Sequence, residues 1–178
     1  MTELIEQVIA FIERHHLLAP WLMLIFAAAE TTAFLSILVP STAIMVGVGA
    51  FAANGVLNFT TLWLGASVGA VIGSSFSFWL GRRYGDAILK RRPLSEHPEW
   101  VEKADAAFTR WGPFTVLLGH FTTFLRPVVF LMAGMSGMNF LRFAFWNTIG
   151  CVGWAFVVLK FGEVGGIAIS WIWERLFG

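Results

Sequence analysis

Charge is scarce in this chain, and cysteine and tyrosine are scarcer still. Of 178 residues 13% are charged, with one cysteine and one tyrosine. A lone Cys151 excludes a disulfide within the chain and a cysteine-built metal cluster. Set in an apolar run, it reads as a buried, inert thiol. Soluble domains carry about 25% charged residues, so the deficit points to the membrane class. The net charge of +1 comes with no Lys/Arg-rich tail and no glycine loop that would cradle phosphates, so no nucleic-acid partner is expected. GxSxG, HExxH and a cysteine with a local catalytic partner are all missing, and the four histidines lack an HxxxH pair. We therefore expect no enzyme activity, no catalytic residues, no metal and no cofactor. Residues 1–16 hold three glutamates and no basic segment followed by a small-residue cleavage site, so they do not resemble a signal peptide.

What is present is apolar. Hydrophobic residues make up 57% of the chain and the mean hydropathy is +0.74. Between residues 17 and 81 the single charged side chain is Glu30. A charged group in hydrocarbon costs ~2.5–3.5 kcal/mol on insertion scales unless it is paired, watered or protonated. The stretch is too long and too apolar for the core of a soluble domain. It predicts an integral membrane protein with a polar site at depth, serving either a substrate or proton path or a structural carboxylate that caps a broken helix.

Periodicity divides the chain into one membrane domain, 1–178. Residues 1–17 place Ile5, Val8, Ile9 and Ile12 on one side of an amphipathic, interfacial helix. Residues 20–53 form an apolar segment broken near Pro40, where the proline cannot donate its amide and disfavours helix at Val39. The segment is longer than one span and tight for two, which fits a re-entrant helical hairpin. Residues 59–80 have the length of a plain transmembrane helix, with Gly65, Gly69 and Gly73 spaced for close helix packing. Their partner is either the chain's own second hairpin or another subunit, which leaves a homo-oligomer open.

Residues 82–111 are basic and predict a cytoplasmic loop holding a short surface helix from Pro98. A second broken apolar segment, 112–138, carries His120, Thr122, Thr123 and Arg126-Pro127. A transmembrane helix at 143–160 and an interfacial, tryptophan-bearing helix at 163–178 close the chain. The order is broken segment, span, basic loop, broken segment, span. That predicts an all-α protein with two re-entrant hairpins and two transmembrane helices in an inverted repeat, and paired breaks of this kind point to a transporter's midplane site.

The chemistry sits in the breaks. A guanidinium at depth needs an anion, so Arg126 calls for Glu30, a substrate phosphate or helix carbonyls. Pro127 ends the half-helix beside it and frees a carbonyl. His120 can carry a proton near neutral pH or act as a hydrogen-bonded packing residue. Hydroxyls of Thr31, Thr32, Thr42, Thr122 and Thr123 either line a wet cavity or bond back to their own helices.

These residues resemble the DedA family of bacterial membrane proteins, of the SNARE-associated or VTT type. The resemblance rests on Glu30 ahead of Pro40; on Gly81-Arg82-Arg83-Tyr84-Gly85; and on Arg126 followed by Gly134, Phe143, Asn147, Gly150 and Trp154. It covers roughly 20–161. It implies facing re-entrant hairpins in the bacterial inner membrane and proton-coupled transport driven by the proton motive force. The implied substrates are lipid phosphates, undecaprenyl phosphate or phospholipids, so membrane lipids and protons are the expected partners. Family members commonly carry two acids and two arginines in the hairpins. Glu30 matches the first acid and Arg126 the second arginine, whereas Thr42 and His120 stand where the other acid and arginine often lie. Three readings follow: a lipid-phosphate translocase or flippase, a proton-coupled carrier for small ions or drugs, and a structural or assembly protein whose polar pair pins two hairpins together.

Overall fold

The computed structural model describes residues 16–32, 41–53, 57–90, 95–122 and 125–177. Among them the regular structure is helical, with no strand. A short 3-10 turn, His16–Leu18, leads into α1 (Ala19–Thr31), followed by α2 (Ser41–Ala53), α3 (Phe59–Leu89), α4 (Pro98–Trp111), α5 (Phe114–Gly119), α6 (Arg126–Met135) and α7 (Phe140–Phe177). The amphipathic stretch expected at 1–17 and the break at Pro40 lie outside the described residues, save for the short turn.

Among the described residues two helices are long and apolar enough to cross a bilayer: Phe59–Gly85 within α3 and Phe140–Ala168 within α7. They run antiparallel. Phe59 packs edge-on against Phe156, the Trp63 indole N–H donates to the Val152 carbonyl, and Phe78 stacks on Phe143.

Both long helices exceed their expected bounds. α3 continues past residue 80 to Leu89, because Arg82, Arg83 and Tyr84 simply turn outward while Gly81 and Gly85 stay buried against α6. A change from apolar to basic composition alters what a helix faces, not whether it continues. α7 likewise runs unbroken, so the stretches read as 143–160 and 163–178 are one helix. Gly162 and Gly166 look like a break in sequence but are points of close approach: a Cβ on Gly162 would overlap the Val46 carbonyl of α2, and one on Gly166 would crowd Ala50. Lys160 and Glu163 pair across the same turn.

The glycine stripe of α3 is longer than three residues, and its partner is this chain. Gly65, Gly69 and Gly73 lie against the backbone of α1 at Pro20, Leu24 and Ala28. Ser77 continues the four-residue spacing and donates its hydroxyl to the Thr31 carbonyl. Gly81 and Gly85 then meet α6 at Leu131 and Met135, and Gly134 of α6 returns the contact against Phe78 and Arg82. One face of α3 thus holds α1 along its first half and α6 along its second. The opposite arms lie on α7: α2 packs where Gly49 meets Leu159 and Gly162, and α5 packs where Phe114 meets Trp146 and His120 meets Gly150. Each arm runs in the same direction as the long helix it rests on, so α1 opposes α2 and α5 opposes α6.

Helix α4 is amphipathic, with Ala104 buried and Glu102, Lys103 and Asp105 exposed. Its first turn is anchored by Glu99, whose carboxyl is held below the ordinary carboxylate range by a backbone N–H and by the His97 ring. That ring stacks on Trp100.

Candidate functional site: a buried arginine–glutamate pair

Glu30 is on the last turn of α1 and Arg126 is the first residue of α6, and the shared docking face of α3 brings these two ends together. Arg126 Nη1 donates to Glu30 Oε1 at 2.8 Å, with the two side chains 3% and 7% exposed. Breaking such a pair by removing one partner leaves an uncompensated buried charge, which costs about 3–5 kcal/mol. Arg126 Nη2 donates to the backbone carbonyl of His120, also at 2.8 Å. That carbonyl is free to accept because α5 ends at Gly119 and the chain turns before α6 begins. Pro127 stands in the first turn of α6, where its missing N–H leaves no helical bond unmade. The guanidinium carbon lies 4.3 Å from the centroid of the Trp154 ring, a cation–π contact.

A polar layer surrounds this pair. His120 Nε2 and Asn147 Oδ1 are 3.0 Å apart, the geometry for Nε2–H to donate to the amide oxygen, and the buried Nδ1 has no hydrogen-bond partner among the described residues. The Cys151 thiol sits 3.6 Å from the same Nε2 and 3.9 Å from the Ser74 hydroxyl. The His120 ring rests on Gly150, where a Cβ would overlap it, and lies 4.8 Å from the Phe130 ring. Arg126 Nε and Asn147 Nδ2 are buried donors with no hydrogen-bond partner among the described residues.

The sequence-derived candidates thus separate. Glu30, Arg126, His120, Asn147, Gly150 and Trp154 come together in one cluster with Pro127 at its edge. Asn147, Cys151 and Trp154 recur every three to four residues on one side of α7, the signal that would have placed Cys151 here. Gly65, Gly69, Gly73, Gly85 and Gly134 set helix spacing rather than contact the pair. Arg82 is exposed on the far half of α3 and lines a cavity of about 360 Å3 with Arg83 and Tyr84. Pro40 and Thr123 lie outside the described residues, and Thr42 belongs to the first turn of α2.

Three of these threonines, Thr31, Thr32 and Thr122, have described hydroxyls, and all three are bonded to backbone. Thr31 donates to the Ala27 and Ala70 carbonyls, Thr32 to Ala28 and Thr122 to Gly119, so each bonds back to helix backbone. Among the described residues, no group of three or more His, Cys, Asp or Glu is placed to hold a metal ion.

Comparison with known proteins places this arrangement in a family. The VTT domain matches residues 39–164. The chain is 31% identical to the inner membrane protein YabI of Escherichia coli over 148 residues, covering 83% of this chain and 58% of that protein. It is 31% identical to the Escherichia coli inner membrane protein YghB over 69% of this chain and 57% of that one. The chain therefore spans under two thirds of the length of these two relatives. The Bacillus subtilis membrane protein YbfM is 30% identical and matches over 93% of this chain and 98% of its own length. No solved structure matches. With its VTT match spanning most of its length and a membrane-protein relative of the same extent, the chain is a membrane protein that belongs to the DedA family.

Proposed function

We propose that this chain moves a lipid phosphate, undecaprenyl phosphate or a phospholipid, across the bacterial inner membrane as a multi-pass protein. The observation that carries the reading is the Arg126–Glu30 pair, buried where an arm of each broken segment ends. A guanidinium that already binds one carboxylate through one fork has the geometry to take a phosphate in its place. Glu30 neutralises Arg126 when the site is empty, and the phosphate displaces it. Protonation of Glu30, or of His120 at its unpartnered Nδ1, gates release and couples transport to the proton motive force.

The reciprocal docking supports two re-entrant hairpins in an inverted repeat. The first segment lays its first arm on α3 and its second on α7, and the second segment does the converse. A two-fold axis in the membrane plane exchanges one half with the other, and the acid–base pair falls between them. The test is translocation of fluorescent undecaprenyl phosphate and a fluorescent phospholipid in proteoliposomes, wild type against Arg126→Ala. Movement of either lipid that depends on Arg126 supports the reading; no movement by folded wild-type protein sinks it.

A structural reading has one observation in its favour: the pair is closed, with both Arg126 amino groups bonded within the chain. Exchanging Glu30 and Arg126 separates the two. A pin that only holds the hairpins together survives the exchange with its purpose intact, whereas a translocase stays folded and loses transport.

A further inference from the structure

His120 makes two kinds of contact. Its backbone carbonyl accepts from Arg126 Nη2 at 2.8 Å, and its ring meets α7, with Nε2 3.0 Å from Asn147 Oδ1. The ring is fully buried in a seat made by Asn147, by Gly150 one turn further along α7, and by Phe130 of α6 at 4.8 Å. A Cβ on Gly150 would overlap the ring's Cδ2, so the seat requires glycine there. His120 itself stands just past α5, a helix of 6 residues. A helix that short is marginal by itself and does not fix the direction of its last carbonyls. The ring, wedged against α7, does so instead.

We propose that Asn147 is a positioning residue for the buried pair: through the His120 ring it holds the His120 carbonyl on Arg126 and keeps Nδ1 as the ring's proton-accepting nitrogen. The proposal rests on the reading of Arg126 as the phosphate-holding group, and adds that its aim is set from α7. A neutral imidazole has one donor nitrogen and one acceptor nitrogen. The Cys151 thiol lies 3.8 Å from the same Oδ1 with the geometry to donate to it, which fits an amide oxygen at that atom. An oxygen opposite Nε2 makes Nε2 the donor, and the acceptor is then Nδ1, buried and without a hydrogen-bond partner among the described residues. An apolar side chain at position 147 would leave the ring without this bond. The His120 carbonyl would then leave Nη2, and the guanidinium would keep only Glu30 and the Trp154 face.

The test is solid-state NMR of the full chain in lipid bilayers, isotope-labelled in histidine and arginine, with the His120 signals assigned by their loss in His120→Gln. Wild type should show one ring form, protonated at Nε2 and shifted downfield by its bond to oxygen. It should also show close contact between the Arg126 side-chain nitrogens and the His120 carbonyl carbon. Asn147→Leu should lose the downfield shift and the contact. It should also slow Arg126-dependent lipid movement about tenfold, the loss of one hydrogen bond to a charged group. Asn147→Asp keeps an oxygen opposite the ring and should retain both signals. A wild-type ring protonated at Nδ1 overturns the proposal, and so does an Arg126 contact or a rate unchanged in Asn147→Leu. If Asn147→Leu fails to fold, the wild-type ring form and the Asn147→Asp signals decide. Wild type that shows both signals and moves no lipid sinks the translocase reading and leaves the seating of Arg126 by Asn147 in place.

Discussion

The ring of Trp154 covers the face of the Arg126 guanidinium at 4.3 Å, while Glu30 and the His120 carbonyl hold its amino groups at 2.8 Å. Among aromatic rings an indole is the strongest partner for a buried cation, worth about 2 kcal/mol when desolvated. In the proposed exchange its role is to steady the charge between release of Glu30 and arrival of a phosphate. Trp154→Leu should therefore slow lipid movement more than Trp154→Phe, with both variants still membrane-inserted. Equal rates in all three proteins would remove the tryptophan from the mechanism.

Glu30→Gln and Arg126→Ala should each lower thermal stability by about 3–5 kcal/mol, because each strands a charge or a donor in the interior. The double neutral variant should be more stable than either single change. A thermal-unfolding cycle in detergent measures this coupling, and simple additivity of the two losses would show that the contact contributes nothing to the fold.

The glycines offer a test with a built-in control. Gly69→Ala pushes a methyl into the Leu24 carbonyl and should separate α1 from α3, while Gly153→Ala meets nothing within 4 Å. Helix propensity alone then predicts that Gly153→Ala stabilises by about 0.5–1 kcal/mol. Melting temperatures that shift in the same direction for both would refute the docking role of the stripe.

His120→Arg places a second guanidinium against Gly150 and beside an arginine that Glu30 already neutralises. Folded yield should fall. Adding Thr42→Asp restores the acid–base balance common in the family, and the double variant should recover yield relative to His120→Arg alone. Size-exclusion profiles compare them; no recovery would mean that positions 42 and 120 do not share one electrostatic environment.

Much of the site was legible because charge is so rare in this chain. One acid and one arginine in apolar segments had few alternatives but each other, and Pro127 marked the break beside Arg126. The partner of the glycine stripe was not legible. Four-residue spacing says that a backbone comes close, not whose backbone it is, and α1 proved to be the neighbour of Gly65, Gly69 and Gly73. The division between 143–160 and 163–178 failed for a related reason, since a glycine that ends a helix and a glycine that admits a neighbour, as Gly162 does, look alike in sequence. Asn147, Cys151 and Trp154 share a helical side, but that side acquires chemical meaning only once His120 and Arg126 are placed opposite it.

The crossed docking of the arms constrains how the protein is made. Helix α2 rests on α7, whose first residue is Phe140, so the surface that α2 lies on is synthesised only after α3, α4, α5 and α6. Until then α1 can dock on α3, but α2 lacks the surface of α7 on which it rests. Each half of the chain therefore lays one arm on the long helix of the other half.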